Sequence, residues 1–186
     1  MVEPQKTRFD GVLLFPAVRF RDHRGQFEVL YEEVSITRHL AEGTKFVQDN
    51  ISRSHRGVLR GMHFQQEPYG QGKLVTCFLG EIYDVVVDIR PSSPDFLKWE
   101  GFTLSQENGH RLYVPPGFAH GFLAMNNGAV VHYKVTNEYH PDAECVISWN
   151  DPDIGIEWPL DEPPIISSKD EINDKAIDIL NPIKPQ

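Results

Sequence analysis

The sequence predicts an all-β protein, an antiparallel sandwich or barrel with a few short helices. Short runs rich in β-branched and aromatic residues alternate with Gly, Pro, Asn and Asp, a spacing typical of this class. Fourteen Gly and fourteen Pro provide the tight turns that such a cage requires. A chain of 186 residues can bury a sizeable core within one domain, which we expect to span 1–186.

The strand-like runs are, in chain order, Val12–Phe15, Leu74–Phe78, Ile82–Ile89, Arg111–Val114, Ala129–Thr136 and Cys145–Trp149. A helix is predicted over Ser35–Glu42, with Gly43 as its C-cap. From Leu160 onward Pro and charged residues dominate. We therefore expect a tail over about 160–186 that packs on the barrel and contains a short helix near Asp170–Ile179.

Composition excludes several classes of function. A net charge of −9 argues against a nucleic-acid-binding protein, so any phosphate site must be a local positive pocket. No apolar run approaches the roughly 20 residues that span a bilayer, and the first residues lack the apolar stretch of a secretion signal. We expect a cytoplasmic protein with no membrane partner, and we expect Cys77 and Cys145 to be buried free thiols.

The segment Arg60–Lys73 gathers cationic, amide and imidazole side chains within strand-like sequence. Because a free imidazole has a pKa of about 6.5, His63 is suited to act as a general base near neutral pH. In a regular strand Arg60 and His63 would face opposite sides, so they converge only if Gly61 introduces a bulge. The segment indicates a site for an anionic substrate that undergoes proton transfer.

Other polar residues could complete this site, although each also has a structural interpretation. Alternation places Tyr133 on the apolar inward face of its strand, where its hydroxyl could reach the interior or bind backbone. Asp84 and Asp88 share the inward face of an apolar strand and need partners there. Candidate partners are Lys73, Arg90 and His120, the last of which follows a Pro-Gly turn. His63 and Lys73 could equally be a core histidine and a strand-edge lysine.

A metal site is the main alternative, because two histidines in a small β-barrel are also found in metal cupins. Those proteins carry His-x-His followed by a glutamate, whereas this chain has His63-Phe64-Gln65. Lys73 lies near the expected glutamate, and its ammonium group would repel a divalent cation. The sequence therefore predicts no bound metal.

Several ordered motifs point to a family: Asp22-x-Arg24-Gly25-x-Phe27, Gln48-Asp49-Asn50-x-Ser52, Arg60-Gly-Met-His63-Phe-Gln65, Gln71-Gly-Lys73, Tyr133-Lys134, Trp149-Asn-Asp-Pro and Ser168-Lys169-Asp170. With these motifs the chain resembles the dTDP-4-dehydrorhamnose 3,5-epimerases of the cupin superfamily. The resemblance implies a double-stranded β-helix and a homodimer with strand exchange. It also implies a nucleotide-diphosphate sugar substrate, dTDP-4-keto-6-deoxy-D-glucose, that is inverted at C3 and C5 without a cofactor.

The resemblance assigns roles to individual residues. His63 is the expected base, oriented and made more basic by Asp170, while Tyr133 is the expected acid and Lys73 stabilises the enolate. His120 and, as a supporting residue, Asp84 would complete the inner network. The remaining expected substrate-binding residues are Arg24, Phe27, Gln48, Asn50, Arg60, Glu144 and Lys169 for the nucleotide and phosphates, with Tyr139 stacking on the base.

One position departs from the family pattern. Relatives commonly carry a glutamate two residues after the phenylalanine of Arg-Gly-x-Phe, whereas this chain has Glu28 and then Val29. On a strand this shift points the carboxylate to the opposite face. Remaining alternatives are an epimerase that inverts C3 only, a related 3,4-ketoisomerase, a metal-dependent cupin oxygenase and a non-catalytic sugar-binding cupin.

Overall fold

A computed structural model describes residues 3–171 and 175–180. The strands are β1 (Gln5–Lys6), β2 (Leu13–Phe15), β3 (Arg19–Asp22), β4 (Gly25–Glu28), β5 (Gln48–Ser54), β6 (Leu59–Gln65), β7 (Lys73–Leu79), β8 (Glu81–Asp88), β9 (Trp99–Ser105), β10 (Arg111–Val114), β11 (Phe118–Ala124), β12 (Ala129–Val135) and β13 (Glu144–Val146). The helices are α1 (Glu33–Thr37), α2 (Ala176–Leu180) and a 3-10 turn at Pro141–Ala143.

Two antiparallel sheets face each other and form a jelly-roll barrel, the double-stranded β-helix. One sheet has the strand order β1-β2-β10-β7-β12-β5, and the other has the order β13-β6-β11-β8-β9. Alternating side chains point between the sheets, where Val75, Val86, Phe122 and Val131 belong to the main buried cluster. This arrangement confirms the predicted all-β class.

The outer faces of both sheets are covered by other parts of the chain. Phe15, Ile36, Leu74 and Tyr113 form a buried cluster on the six-stranded sheet. Behind the five-stranded sheet, a second cluster includes Ala176 of α2. The barrel is therefore a sheet pair with an apolar layer on each side, which gives the inner side chains a rigid frame.

The strand predictions overlap observed strands, and a helix lies where one was predicted, but with different bounds. The sequence predicts Ser35–Glu42, whereas α1 spans Glu33–Thr37 and is followed by turns in which Leu40 donates its N–H to the carbonyl of Thr37. Most of α1 consists of residues with modest helix propensity, and no side-chain hydrogen bond caps its N-terminus, so the local sequence marks neither of its ends.

The C-terminal segment runs back along the barrel. Ile165 forms a parallel bridge with Val58 and exchanges backbone hydrogen bonds with Gly57 and Leu59. The helix expected near Asp170–Ile179 corresponds to α2, although residues 172–174 and 181–186 lie outside the described residues. The single-domain assignment for 1–186 stays a prediction.

Two smaller differences concern the cysteines and an arm. Cys77 is a buried free thiol as expected, whereas Cys145 is only partly buried because β13 is an edge strand. Strands β3 and β4, which the pattern of apolar runs did not reveal, pair with each other and with no other strand in the described part of the chain. We call this hairpin, residues 19–28, the arm. Buried Arg111 anchors its base by donating to the backbone carbonyls of Pro16, Val29 and Leu30.

Candidate active site

A polar cavity of about 500 Å³ lies between the two sheets. Its size is in the range that holds a small-molecule substrate. The lining side chains come from both sheets and from the C-terminal segment: Gln48, Asn50, Ser52, Arg60, His63, Phe64, Gln65, Gln71, Lys73, His120, Phe122, Val131, Tyr133, Tyr139, Glu144, Ser167, Lys169 and Asp170. Burying polar groups costs free energy, so the concentration of so many of them in one cavity indicates a functional site.

A bulge at Gly61 brings Arg60 and His63 to the same cavity, as the sequence predicted. His63 is directly opposite His120 on β11, but Arg60 is opposite Phe122, so β6 has one extra residue between these pairs. Gly61 has φ +133°, and a Cβ there would lie 2.6 Å from the Cα of Gly121. The close approach of the two strands therefore requires glycine at this position.

His63 is paired with a buried carboxylate from the distant C-terminal segment. Its Nε2 lies 2.5 Å from Oδ1 of Asp170, and Ser167 Oγ donates to Oδ2 of the same carboxylate at 3.0 Å. Burial by itself would raise the pKa of Asp170, but the hydrogen bonds from His63 and Ser167 outweigh burial and hold it below the ordinary value. A charged Asp170 orients the ring and leaves Nδ1 as the other nitrogen for proton transfer.

Lys73 is a buried cation at the start of β7. Its side chain is 9% exposed, and Nζ donates to the backbone carbonyl of His63 at 3.2 Å. Burial lowers the pKa of Lys73 to about 8, while the negative charges of Asp84 and Glu144 oppose this effect. The ammonium group is therefore present at neutral pH inside the cavity, where a developing negative charge would be stabilised strongly.

Tyr133 lies on the wall that faces His63. It belongs to β12 of the six-stranded sheet, opposite Asn50 and Val75, whereas His63 belongs to the other sheet. Burial raises the pKa of Tyr133, so its hydroxyl keeps a proton at neutral pH. The cavity thus has a titratable imidazole on one wall and a neutral hydroxyl on the other.

His120 has the carboxylate partner that its buried position demands. Its Nε2 lies 3.0 and 2.9 Å from the two oxygens of Asp84, which is fully buried. Neither Asp84 nor Asp88 lines the cavity itself, but Asp84 is bonded to a cavity residue, whereas Asp88 binds Arg90 and Ser93, which lie outside the cavity. The expected inward carboxylates are therefore both paired, but only one belongs to the site.

Charged and aromatic residues form one rim of the cavity. Lys169 forms an ion pair with Glu144, whose other carboxylate oxygen accepts a 2.7 Å hydrogen bond from the hydroxyl of Tyr139. The Lys169 Nζ lies 6.0 Å from the centre of the Tyr139 ring. Tyr139 is 52% exposed, so one ring face is accessible to a planar ligand.

The opposite rim is polar and partly preorganised. On β5, Gln48 donates from Nε2 to the Asn50 side-chain oxygen at 2.7 Å. Arg60 is exposed but is held by Ser54, which accepts a 3.1 Å hydrogen bond from Nε. Its Nη2 also donates to the backbone carbonyl of Arg53 at 3.3 Å, which leaves Nη1 and the second hydrogen of Nη2 for an anion.

Two predicted substrate-binding residues do not line the cavity. Arg24 and Phe27 lie on the arm, where the Arg24 side chain is 80% exposed and pairs with Asp22, and Phe27 is 65% exposed. Glu28, the displaced carboxylate, accepts a 2.9 Å hydrogen bond from Arg19 within the arm. In a single chain the arm and the cavity are therefore separate regions.

Sequence reasoning missed three serines that serve the site. Ser167 supports Asp170, Ser54 holds Arg60, and the buried hydroxyl of Ser52 has no hydrogen-bond partner within the described part of the chain. The alternation of small polar residues along β5 was the available signal, since it places Asn50, Ser52 and Ser54 on one inward face.

Two further features concern metals and membranes. Among the residues in 3–171 and 175–180, no group of three or more His, Cys, Asp or Glu side chains could hold a metal ion. Within the same ranges no helix is long and apolar enough to cross a bilayer.

The chain and its fold have counterparts among known proteins. The family model described as dTDP-4-dehydrorhamnose 3,5-epimerase matches residues 6–177. A dTDP-4-dehydrorhamnose 3,5-epimerase of Shigella flexneri is 46% identical over 173 residues, which cover 93% of this chain and 95% of that protein.

Two solved structures are also similar. The dTDP-6-deoxy-D-glucose-3,5-epimerase RmlC of Legionella pneumophila, in complex with dTDP-4-keto-L-rhamnose, has a TM-score of 0.87 and 41% identity, covering 91% of this chain and 90% of that one. ChmJ, a 3'-monoepimerase of Streptomyces bikiniensis in complex with dTDP-quinovose, has a TM-score of 0.88 and 32% identity, covering 94% of this chain and 89% of that one.

Proposed function

The chain belongs to the dTDP-4-dehydrorhamnose 3,5-epimerase family, and we propose that it inverts C3 and C5 of dTDP-4-keto-6-deoxy-D-glucose by proton transfer. The observation that carries the mechanism is the position of a base and an acid on opposite walls of the cavity. His63 with its carboxylate partner lies on one sheet, Tyr133 lies on the other, and buried Lys73 lines the same cavity. Such an arrangement suits inversion, which needs a base and an acid on opposite faces of one carbon.

Proton abstraction starts the reaction. The C4 ketone acidifies the hydrogens on C3 and C5, and His63 removes one of them with its free ring nitrogen. The C–H electron pair then becomes the enolate, with negative charge on the former ketone oxygen. Asp170 stabilises the imidazolium ion that forms, because its carboxylate is buried and already bonded to Nε2.

Lys73 stabilises the enolate oxygen. Its ammonium group is preorganised by the carbonyl of His63 and is largely removed from water. A fixed cation in such a site gains more from a developing negative charge than a solvated lysine would. The charge forms only in the transition state and intermediate, so this contact accelerates the chemical step.

Tyr133 completes the inversion from the opposite wall. Its hydroxyl protonates the planar carbon on the face away from His63, the resulting phenolate recovers a proton from solvent, and the His63 imidazolium releases its proton to solvent, which restores both groups. Burial favours the neutral hydroxyl, which is the form that can donate. Repetition at the second carbon produces the doubly inverted sugar.

The rims are suited to the nucleotide part of the substrate. Arg60 and Lys169 supply positive charge for the diphosphate, and the exposed ring of Tyr139 offers a stacking surface for the base. Gln48 and Asn50 offer amide groups at the same cavity. These contacts form a local positive site on a chain whose net charge is −9.

The active form in this proposal is a homodimer in which the arm of one subunit completes the site of the other. The arm presents Phe20 and Phe27, which are 59% and 65% exposed and stack loosely at 6.3 Å between ring centres. Two exposed phenylalanines on one hairpin are typical of a contact surface. Arg24 and Phe27 would then contact substrate in the partner. A cytoplasmic location also stays a prediction.

The test is proton NMR of dTDP-4-keto-6-deoxy-D-glucose in D₂O with the protein. Loss of both the C3 and C5 hydrogen signals, together with formation of the doubly inverted sugar, is the expected result. No exchange at either carbon would reject the proposal and favour a protein that only binds its ligand. Arg60→Ala, which removes a proposed diphosphate contact, serves as a variant with weakened substrate binding in the same assay.

A C3-only epimerase is the second candidate. It is favoured by the likeness to ChmJ, a 3'-monoepimerase with a TM-score of 0.88. The same base, acid and lysine serve either reaction, because both begin with an enolate at C4. Exchange confined to C3 in the NMR experiment would identify this outcome.

A further inference from the structure

Gln65 is a buried cavity residue to which the proposed reaction gives no task. It is the last residue of β6, two positions after His63, and is 9% exposed. In the comparison with metal cupins it takes the place of the second histidine of His-x-His. A primary amide neither gains nor loses a proton near neutral pH, so the function of Gln65 lies in hydrogen bonding.

The amide of Gln65 joins two loops at the rim of the cavity. Its Nε2 donates to the backbone carbonyl of Tyr69 at 2.7 Å and to that of Glu138 at 3.1 Å, and its Oε1 accepts from the backbone N–H of His140 at 2.8 Å. Two carbonyl acceptors and one N–H donor fit only one orientation of the amide. Both amide hydrogens are used, so Gln65 has none left to donate to a substrate.

These bonds fix the backbone on both sides of Tyr139. The carbonyl of Glu138 and the N–H of His140 belong to the two peptide groups that join Tyr139 to its neighbours. The ring is held at its far end, where the hydroxyl donates to Glu144 at 2.7 Å. Glu144 lies directly opposite Gln65 in the pairing of β13 with β6. One pair of residues on the five-stranded sheet therefore holds both the backbone and the ring of Tyr139.

Further contacts support the same loop. Gln71 Nε2 donates to the backbone carbonyl of Asn137 at 2.8 Å, and the rings of Tyr69 and His140 are in contact, with their centres 3.8 Å apart. Tyr139 itself is 52% exposed, so packing does little to hold its ring. Fixing an exposed ring before a ligand binds lowers the entropic cost of binding.

We infer that Gln65 is a positioning residue that holds Tyr139 as a preformed stacking platform for the base of the nucleotide. This inference rests on the proposed function and deepens it, since it concerns recognition of the base in the same site. Gln65 does not touch the reacting atoms of the substrate. It contributes to nucleotide affinity through Tyr139 and not to proton transfer.

Gln65→Met removes the three hydrogen bonds and keeps a side chain of similar length. Gln66 is exposed and does not line the cavity, so Gln66→Met is a matched control one position along the chain. The first measurement is the dissociation constant of dTDP, which requires no turnover. We expect binding about fivefold weaker for Gln65→Met and within about twofold of the wild type for Gln66→Met, because only the first loosens the stacking platform.

A double-variant cycle shows whether Gln65 acts through Tyr139. Tyr139→Ala removes the ring, and we expect it to weaken dTDP binding by about tenfold. In this background Gln65→Met should add less than about twofold, because no ring is left to position. An added loss as large as the one in the wild-type background would overturn the inference.

Steady-state kinetics distinguishes positioning of the base from a general loss of structure. For Gln65→Met we expect kcat/KM to fall about fivefold with kcat nearly unchanged, because the platform acts on binding and not on the chemical step. A fall in kcat as large as that in kcat/KM would contradict the inference, since Gln65 would then support the chemistry.

The outcomes separate this inference from the proposed function. If the wild type epimerises its substrate and Gln65→Met binds dTDP normally, the inference is wrong while the proposed function stands. If dTDP binding depends on Gln65 and Tyr139 as expected but the wild type shows no turnover, the inference stands and the proposed reaction is rejected. A wild type that does not bind dTDP would reject both.

A last measurement does not depend on a variant folding. Hydrogen exchange of the wild-type protein, followed by NMR, reports on the His140 amide that donates to Gln65. We expect this amide to exchange at least about tenfold more slowly than in an unfolded peptide, since its hydrogen bond protects it. Exchange at the rate of an unfolded peptide would overturn the inference, because Gln65 could not then hold the backbone after Tyr139.

Discussion

The cavity and the arm of this chain differ in how far their side chains find partners within the chain. In the cavity, His63, His120 and Glu144 each have a hydrogen-bond partner within the same chain at 3.0 Å or less. On the arm, Arg24 pairs only with its near neighbour Asp22, and two phenylalanine rings face outward. The proton-transfer groups are thus preorganised within the chain, whereas the apolar surface of the arm is exposed.

This difference has a physical reason. Acid and base groups must be held within fractions of an ångström, which packed strands and buried hydrogen bonds achieve. Binding contacts tolerate less rigidity, and they can come from a second copy if the connecting hairpin is fixed at its base. Arg111 provides this fixation through three backbone carbonyls. Mutations in the cavity should therefore affect the chemical step, and mutations in the arm should affect binding.

The largest effect is expected from His63→Ala. Loss of a general base typically costs about 10²- to 10⁴-fold in rate, and we expect at least the lower figure in kcat. The measurement is turnover together with thermal unfolding, because the fold should survive. His55→Ala, which changes an exposed histidine outside the cavity, is the control. Near-full activity of His63→Ala would show that another group is the base.

Lys73→Met is expected to lower kcat nearly as much as His63→Ala. It should also remove the decline in rate that accompanies deprotonation of Lys73 at high pH. Loss of one preorganised oxyanion donor costs about 10²- to 10³-fold in kcat. Since the pKa of Lys73 is about 8, the ammonium form should be present below this value, and the part of the wild-type rate that depends on it should be lost as the pH rises through about 8. A pH profile of both proteins measures this, with exposed Lys98→Met as the control. Unchanged turnover in Lys73→Met would reject the oxyanion role.

Tyr133→Phe should separate the two halves of the reaction. We expect net inversion to fall by about 10²-fold, because the acid is lost, while the base still exchanges substrate hydrogens with solvent. Deuterium incorporation and product formation are measured in one NMR experiment. Tyr83→Phe, on the outer face beside Trp158, is the control. Normal inversion by Tyr133→Phe would mean that a different group donates the proton.

The smallest effect is expected on the arm, and it tests the comparison directly. Phe27→Ala should lower kcat/KM by about tenfold, corresponding to roughly 1.4 kcal/mol of binding, with little change in kcat. The decisive experiment mixes Phe27→Ala with His63→Ala after subunit exchange. Random reassortment makes about half of the dimers mixed, and each mixed dimer would contain one site with both native parts. Activity above the sum of the separate proteins is expected, and strict additivity would mean that each arm serves its own cavity.

Parts of the site were predictable from local pattern. Strand alternation placed Tyr133 inward, and the glycine between Arg60 and His63 correctly indicated a bulge. The bounds of the predicted helix were wrong because neither a side-chain cap nor strong helix propensity marks where α1 begins and ends. The arm strands were missed because their residues lack the alternation of a half-buried sheet, which reflects their exposure.

By itself, the sequence determined the all-β class, the family resemblance and the residue types of the reaction, because strand periodicity and short motifs are local properties of a chain. The resemblance also assigned Asp170 to His63, 107 positions away, but only the tertiary structure decided that His120, rather than Lys73 or Arg90, is the partner of Asp84. Such pairings depend on strand register and on where the C-terminal segment crosses the barrel, and these follow from burial summed over the whole fold.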